Sequence, residues 1–328
     1  MDRVSKMIIE VRALAKQFDD VQAVADVDFD VDQGELFGFL GPNGAGKTTT
    51  INMLTGLARP DAGTIRIAGV DCSMHPKAAQ HLMGIVPDES NLYPELSGYD
   101  NLCFCGALYG MSKPARQKRA AELLEQFDLA DAAARSFAGY SKGMKRKLTI
   151  AAGIIHQPQI LFLDEPTTGI DVASARQIRQ LIAALNAAGT TIFLTTHYIE
   201  EAQRLCRRIA FIVKGRVVRT DTVEDLMRQA DGRHVVQFAV GAGAAALCEA
   251  IAGEFPAVTC RLSADGGIRV ESGQPVRVGP LVRFLEDRGA EVSEARKVQP
   301  SLEEVFVAVT GIEADAMKRE KEKAGGSA

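Results

Sequence analysis

The sequence lacks the usual marks of several protein classes. None of its six cysteines form a C-x-x-C pair, the commonest sequence sign of a zinc or thiol-redox centre. Cys72, Cys103, Cys105, Cys206, Cys248 and Cys260 are scattered, with only Cys103 and Cys105 close together, and are expected as reduced thiols packed like small apolar side chains. No window comes near the roughly 18 apolar residues that span a bilayer. Met1 to Val11 carries Asp2, Arg3, Lys6 and Glu10 around a short apolar patch, without the apolar stretch or cleavage site of a secretory leader. The expectation is a soluble chain that reaches a membrane only through a partner. Positive charge is not in excess, with 38 Lys and Arg against 42 Asp and Glu, so the field that draws nucleic acid is missing and no nucleic-acid partner is expected.

What is present fits a large domain followed by a smaller one. The 328 residues are 46% apolar, enough for packed cores. Ile9, Val11 and Leu14, then Val27, Phe29 and Val31, alternate like half-buried strands. Leu36 to Leu40, Ile160 to Leu163 and Thr190 to Thr195 are continuous apolar runs of buried-strand length. Helical patterns fill the stretch from Gly98 to His156, broken near Ser112-Lys113-Pro114 and at Gly139, and another covers Val172 to Ala188. Strands alternating with helices imply an α/β fold with a mostly parallel sheet. The early strands and a hairpin at Lys214-Gly215 suggest an added antiparallel layer. From about His234 a strand-helix-strand-strand-helix-strand-helix order reads as a small split β-α-β unit.

Gly41-Pro42-Asn43-Gly44-Ala45-Gly46-Lys47-Thr48 matches the G-x-x-x-x-G-K-[ST] phosphate loop, with an apolar strand before it and a helical pattern after. Glycines let the backbone take positive φ, so that successive N–H groups converge on an anion. A helix opening near Lys47 adds its positive dipole end. Lys47 can reach the terminal phosphates of a nucleoside triphosphate, and the Thr48 hydroxyl can ligate magnesium.

Ile160 to Leu163 ends in Asp164-Glu165, and a buried strand rarely ends in adjacent carboxylates without a cation or proton to handle. Asp164 suits the magnesium shell through water, and Glu165 suits polarising the attacking water as general base. The next apolar run ends at Thr195-Thr196-His197, placing His197 at the same sheet edge, where it can touch the γ-phosphate. Ser141 can cap the helix that follows it, and Gly143 permits close approach of a phosphate to that helix; read alone, the segment is better taken as an ordinary capped amphipathic helix with a basic face. No [NT]-K-x-D segment for reading guanine is present.

The order of phosphate loop, Tyr140 to Lys147, Asp164-Glu165, Gly169-Ile170-Asp171 and His197 resembles the ATP-binding subunits of ABC transporters over about residues 7 to 230. The resemblance implies a P-loop NTPase core with a mostly parallel sheet, an antiparallel β subdomain and a helical subdomain. It implies ATP with Mg2+, held by Gly41, Pro42, Asn43, Gly44, Ala45, Gly46, Lys47, Thr48 and Thr49. Asp164 and Glu165 close the Walker B strand, with Glu165, His197 and Lys47 catalytic. Ser141 and Gly143 belong to the signature that reaches the ATP of the opposite subunit, and Asp171 to the D-loop.

Phe18 lies where the family stacks an aromatic on adenine, with a core Phe beside Val21 as the alternative. The signature departs from LSGGQ at Lys142 and Met144. Asp88 replaces the Q-loop glutamine and, although shorter and charged, can still ligate magnesium. Leu92 to Leu96 would face a membrane subunit, and Pro300 to Phe306 resembles the C-terminal extension of ATPases serving ABC-2-type exporters of the drug-resistance kind. Its role would be dimer contact or regulation, or a stabilising appendage. The organisation expected is an ATP-binding domain over 1–230, a C-terminal α+β domain over 231–311 and a flexible tail over 312–328. The function implied is ATP hydrolysis that energises an exporter through dimer closure. The partners implied are a separate membrane-spanning permease and a second copy of the chain, with the protein held peripherally on the cytoplasmic face of the membrane. A soluble regulatory or assembly ATPase of the same superfamily is the alternative.

Overall fold

The computed structural model describes residues 6–231, 234–241, 243–263, 266–298 and 301–312. Its contacts separate a larger unit, residues 6–222 with 309–312, and a smaller one, Val223–Ala308.

In the larger unit, β1 (Met7–Phe18) and β2 (Val21–Asp32) form an antiparallel hairpin whose Ile9, Val11, Leu14, Val27 and Val31 are fully buried. β3 (Leu36–Leu40) is buried along its whole length and leads through the glycine-rich loop into α1 (Lys47–Leu54). β4 (Ala62–Ile67), β5 (Val70–Asp71) and β6 (Met83–Val86) follow. A helical layer of α2 (Gly98–Leu108), α3 (Lys113–Gln126) and α4 (Lys142–Gly153) comes next. Ser97 caps α2, and Pro114 sits in the first turn of α3, where its missing N–H costs nothing. The chain continues through β7 (Ile160–Asp164), α5 (Val172–Ala187), β8 (Thr191–Thr196), α6 (Ile199–Leu205), β9 (Arg208–Val213) and β10 (Arg216–Thr222).

Two sheets result. One runs β2-β1-β4-β5 and is antiparallel; the other runs β10-β9-β3-β8-β7-β6, parallel from β9 to β6. Phe29 of the first sheet packs on Phe37, Phe39 and Phe193 of the second at 5.5–5.8 Å between centroids, which locks the two layers face to face. One expectation is corrected here. The hairpin at Lys214-Gly215 does not extend the antiparallel layer: β9 is buried from Ile209 to Ile212 and pairs parallel with β3, so the hairpin forms the edge of the parallel sheet.

The smaller unit comprises α7 (Val223–Asp231), β11 (His234–Val240), α8 (Ala244–Glu254), β12 (Thr259–Leu262), β13 (Ile268–Ser272), α9 (Val278–Glu286), β14 (Val292–Val298) and α10 (Leu302–Thr310). Its sheet, β12-β13-β11-β14, is antiparallel throughout, the strand order of a split β-α-β unit. Val236, Phe238, Ile251, Ile268, Val270, Leu281 and Leu285 form its own core.

The reading of all six cysteines as thiols is corrected: Cys248 on α8 and Cys260 on β12 are bonded, while Cys72, Cys103, Cys105 and Cys206 are free. The helix lies across the strand that follows it, which brings the two Cα atoms to 5.5 Å. No helix among the described residues is long and apolar enough to cross a membrane. Of the tail expected over 312–328, only Ile312 is described, and Pro300 of the exporter-like segment also lies outside the described residues.

Candidate nucleotide site

β3, β8 and β7 are adjacent, so the phosphate loop, His197 and the Asp164-Glu165 pair leave the same sheet edge side by side. The loop folds over itself, with Ala45 N–H donating to the Pro42 carbonyl at 3.2 Å. Gly46 has φ of +102°, and a Cβ there would lie 2.4 Å from the Ala23 carbonyl oxygen, so only glycine fits. The first-turn N–H groups of α1 open onto the loop with no helical carbonyl behind them. Lys47 is buried beneath it. Its ammonium donates to the carbonyls of Gly41 at 2.8 Å and Pro42 at 3.1 Å, and stands 3.1 Å from Glu165 Oε1 without the direction of a hydrogen bond.

The Thr48 hydroxyl donates to Asp164 Oδ2 at 2.8 Å, and the Thr195 hydroxyl donates to Oδ1. Burial raises the Asp164 pKa, and the neighbouring Glu165 and Asp88 carboxylates add to that; the two hydroxyls only partly offset it. Glu165 behaves oppositely. Burial pushes its pKa up, but the hydrogen bond from His197 and the charge of Lys47 outweigh it, and the value falls to about 2. His197 Nδ1 lies 2.7 Å from Glu165 Oε2, which also accepts from the Thr168 hydroxyl at 3.1 Å. Glu165 itself sits at φ of +49°, a left-handed turn that a non-glycine residue holds only under constraint. Its N–H donates to the Thr195 carbonyl at 3.1 Å, tying this turn to β8.

These groups face a cavity of about 450 Å3, lined by Asn43, Gly44, Gly46, Lys47, Thr48 and Thr49, with Asp88 and Glu165 at one side. The Asn43 side-chain nitrogen is buried there without a partner, which suits a loop shaped around an anion. Val21, Gln22, Ala23 and Lys214 complete the wall, and the sequence reading did not single them out for this role. Lys214 is brought in by the turn of the β9–β10 hairpin, where Gly215 N–H donates to the Ala45 carbonyl at 3.0 Å. Phe18 lies outside that lining at the β1–β2 turn. It is 49% exposed, with the Lys16 ammonium 5.2 Å from its ring, so the core alternative is excluded.

Ser141 caps α4, its hydroxyl accepting from Met144 N–H at 3.2 Å. Gly143 has a reason within the chain: a Cβ there would meet Ser174 Oγ at 2.5 Å, so glycine lets α4 lie against α5. Asp171 caps α5 by accepting from Ser174 N–H at 2.9 Å. A second cavity of about 430 Å3 opens between α4 and the loop after β6, lined by Asp88, Lys142, Lys145 and Arg146. Asp88 therefore borders both cavities and lies 3.6 Å from the Arg146 guanidinium.

Residues 24–168 match the sequence model of the ABC transporter family. Over 315 residues the chain is 38% identical to the daunorubicin/doxorubicin resistance ATP-binding protein DrrA of Streptomyces peucetius, covering 95% of each. The chain belongs to the ABC transporter family. It shares 40% identity over 229 residues with the Nod factor export ATP-binding protein I of Burkholderia orbicola strain AU 1054, covering 70% of this chain and 75% of that one. Among solved structures it resembles the dimeric post-hydrolysis state of the ATP-binding cassette MJ0796 bound to ADP and Pi, with a TM-score of 0.60 and 26% identity over 66% of this chain and 98% of that one. The chain is thus an ABC-family ATPase that binds and hydrolyses ATP.

Proposed function

We propose that this ATPase powers export of an amphipathic, drug-like compound through a separate membrane-spanning permease, working as a pair of identical chains on the cytoplasmic face of the membrane. The arrangement of Glu165 carries the reading. A buried carboxylate is held at 2.7 Å by His197 and at 3.1 Å by Lys47, beside a cavity floored by the phosphate loop.

His197 is hydrogen-bonded to Glu165, and Lys47, whose hydrogen bonds go to the Gly41 and Pro42 carbonyls, supplies it with a counter-charge at 3.1 Å. An incoming triphosphate offers Lys47 a stronger anion, and the γ-phosphate offers one to His197. As they turn toward it, Glu165 loses the counter-charge that keeps its pKa low and becomes a competent acceptor for a proton from water. Nucleotide binding thereby switches on the general base. The loop amides from Asn43 to Thr49 orient the phosphates, and Phe18 stacks on the base.

Thr48 and Asp164, already joined at 2.8 Å, would hold magnesium, with Asp88 lining the same cavity. The fit is of hard oxygen donors. No cluster of three or more acidic, His or Cys side chains able to hold a metal occurs among the described residues, so most of the cation's ligands would have to come from phosphate oxygens and water. Bound there, magnesium would neutralise charge on the phosphate oxygens. Ser141, capping α4, contributes its helix N-terminus to the nucleotide of the second copy.

The permease reading is supported by the face of the helical layer, where Tyr93 and Phe104 pair edge-to-face at 5.0 Å yet stay exposed, with Leu108 beside them on α2 at 73% exposure. It is also supported by the resistance and export functions carried in the relatives' names. The test is transport in inside-out vesicles holding the chain with its co-encoded permease and a fluorescent anthracycline. ATP-dependent uptake that disappears with Glu165→Gln is expected. Turnover that no co-encoded membrane chain stimulates, in vesicles that accumulate nothing, would contradict the reading.

A further inference from the structure

Arg146 lies one turn into α4 and is 6% exposed, a depth at which a guanidinium must be fully engaged. Its Nη1 donates to the Pro87 carbonyl at 2.5 Å, and its Nη2 donates to the Asp88 carbonyl at 2.5 Å and to the Glu165 carbonyl at 3.3 Å. The Asp88 carboxylate stands 3.6 Å away. One side chain therefore joins three elements: the helix capped by Ser141, the loop that follows β6, and the left-handed turn that presents Glu165. The carbonyl of that turn takes a second donor, Thr168 N–H, at 3.2 Å, so both ends of the strained Glu165 residue are fixed by partners outside β7.

Stability alone does not call for this arrangement. Burial disfavours the charged guanidinium, and the carboxylates of Asp88, Asp164, Glu165 and Glu201 favour it. An apolar side chain would pack the same space without that opposition. The planar fork does what an apolar group cannot: it fixes carbonyls from two loops at set angles to each other. The substitution of acidic Asp88 for the usual glutamine places a further negative charge beside this cation.

We propose that Arg146 is a positioning residue that sets the Glu165 carboxylate relative to α4 and the Asp88 loop, so that seating of α4 is transmitted to the hydrolytic group. This rests on the assignment of Glu165 as general base. Removing the fork leaves the phosphate loop intact, so nucleotide affinity holds while the hydrolytic step slows.

The test compares Arg146→Lys and Arg146→Met with Glu165→Gln in the full-length chain, measuring kcat, KM for magnesium-ATP, affinity for a fluorescent ATP analogue and melting temperature. Each kcat is expressed per site competent to bind nucleotide. For both Arg146 variants kcat is expected to fall about 100-fold, the cost of misplacing a reacting group by about an ångström, while analogue affinity stays within about threefold. Lysine keeps the charge but not the fork, so it should rescue little.

An Arg146→Lys variant turning over at the wild-type rate would overturn the proposal, as would variants that melt early yet keep full kcat per binding site. If Arg146→Met does not fold, the lysine variant decides. Should Glu165→Gln retain turnover, the general-base assignment fails; should it lose turnover while both Arg146 variants keep theirs, only the positioning role fails.

Discussion

Asp164 and Glu165 are adjacent in sequence, yet the fold pushes their proton affinities in opposite directions. The signs lead to opposite stability predictions. The folded pKa of Glu165 is depressed to about 2 from an ordinary 4.5, so its charge contributes stability in full above pH 4.5, and that contribution is lost as pH falls toward 2. The folded pKa of Asp164 is raised, so ionising it costs stability as pH climbs past its ordinary value of 3.8. Without nucleotide at neutral pH, Glu165→Gln is expected to melt below the wild type and Asp164→Asn above it, at roughly 2–4 °C per kcal/mol for a unit of this size. Scanning fluorimetry measures both. Each should also lose turnover, Glu165→Gln by about 10²- to 10⁴-fold as befits a general base. Equal melting shifts in the same direction would refute the electrostatic description.

The residues legible in the sequence are those whose chemistry demands a fixed local spacing: the phosphate loop, the paired carboxylates and the histidine at a strand end. Arg146 was not legible, because its partner Pro87 lies 59 positions away and contributes only a main-chain carbonyl, which carries no residue-type signal. Lys214 was hidden for a similar reason, since only the folded hairpin brings it to the cavity wall.

Among the elements, Gly143 has a packing reason to be glycine beside the role proposed for it at a second copy's nucleotide. Its closeness to Ser174 predicts that Gly143→Ala forces α4 away from α5, at a cost of about 1–3 kcal/mol typical of overpacking. Adding Ser174→Gly removes the obstructing side chain and should restore most of the melting temperature. Turnover is expected to stay low in the double variant if, as proposed, the N-terminus of α4 meets the nucleotide of a second copy, because the methyl group still crowds that approach. Full recovery of turnover would mean that Gly143 serves helix packing only.

Apolar runs made most strands readable at this scale, and β3, β7 and β8 fall close to where continuous burial placed them. The β9–β10 hairpin was assigned to the wrong sheet, since alternation and turn residues reveal a hairpin but not the neighbour it pairs with. α6 escaped notice because Ile199–Leu205 is too short for a periodic pattern to stand out. The Cys248–Cys260 bond joins residues 12 apart, a spacing that signals nothing until α8 folds over β12.

On the scale of the whole molecule, the aromatic layer between the two large sheets and the cluster around Phe238 in the smaller unit are separate cores among the described residues. Calorimetry is therefore expected to show two transitions, with only the larger moving upward on adding ATP and magnesium, by mass action on the nucleotide site. A single transition displaced as one by nucleotide would show that the units unfold together.

The central claim is that nucleotide on the phosphate loop of one chain completes a site with the Ser141-capped helix of another. Light scattering on purified Glu165→Gln protein tests it most directly. Saturating magnesium-ATP is expected to double the mass, whereas ADP, or ATP added to a Glu165→Gln/Ser141→Arg variant, should leave a monomer. A chain that remains monomeric in saturating magnesium-ATP while demonstrably binding it, or one that dimerises equally without nucleotide, would contradict the account.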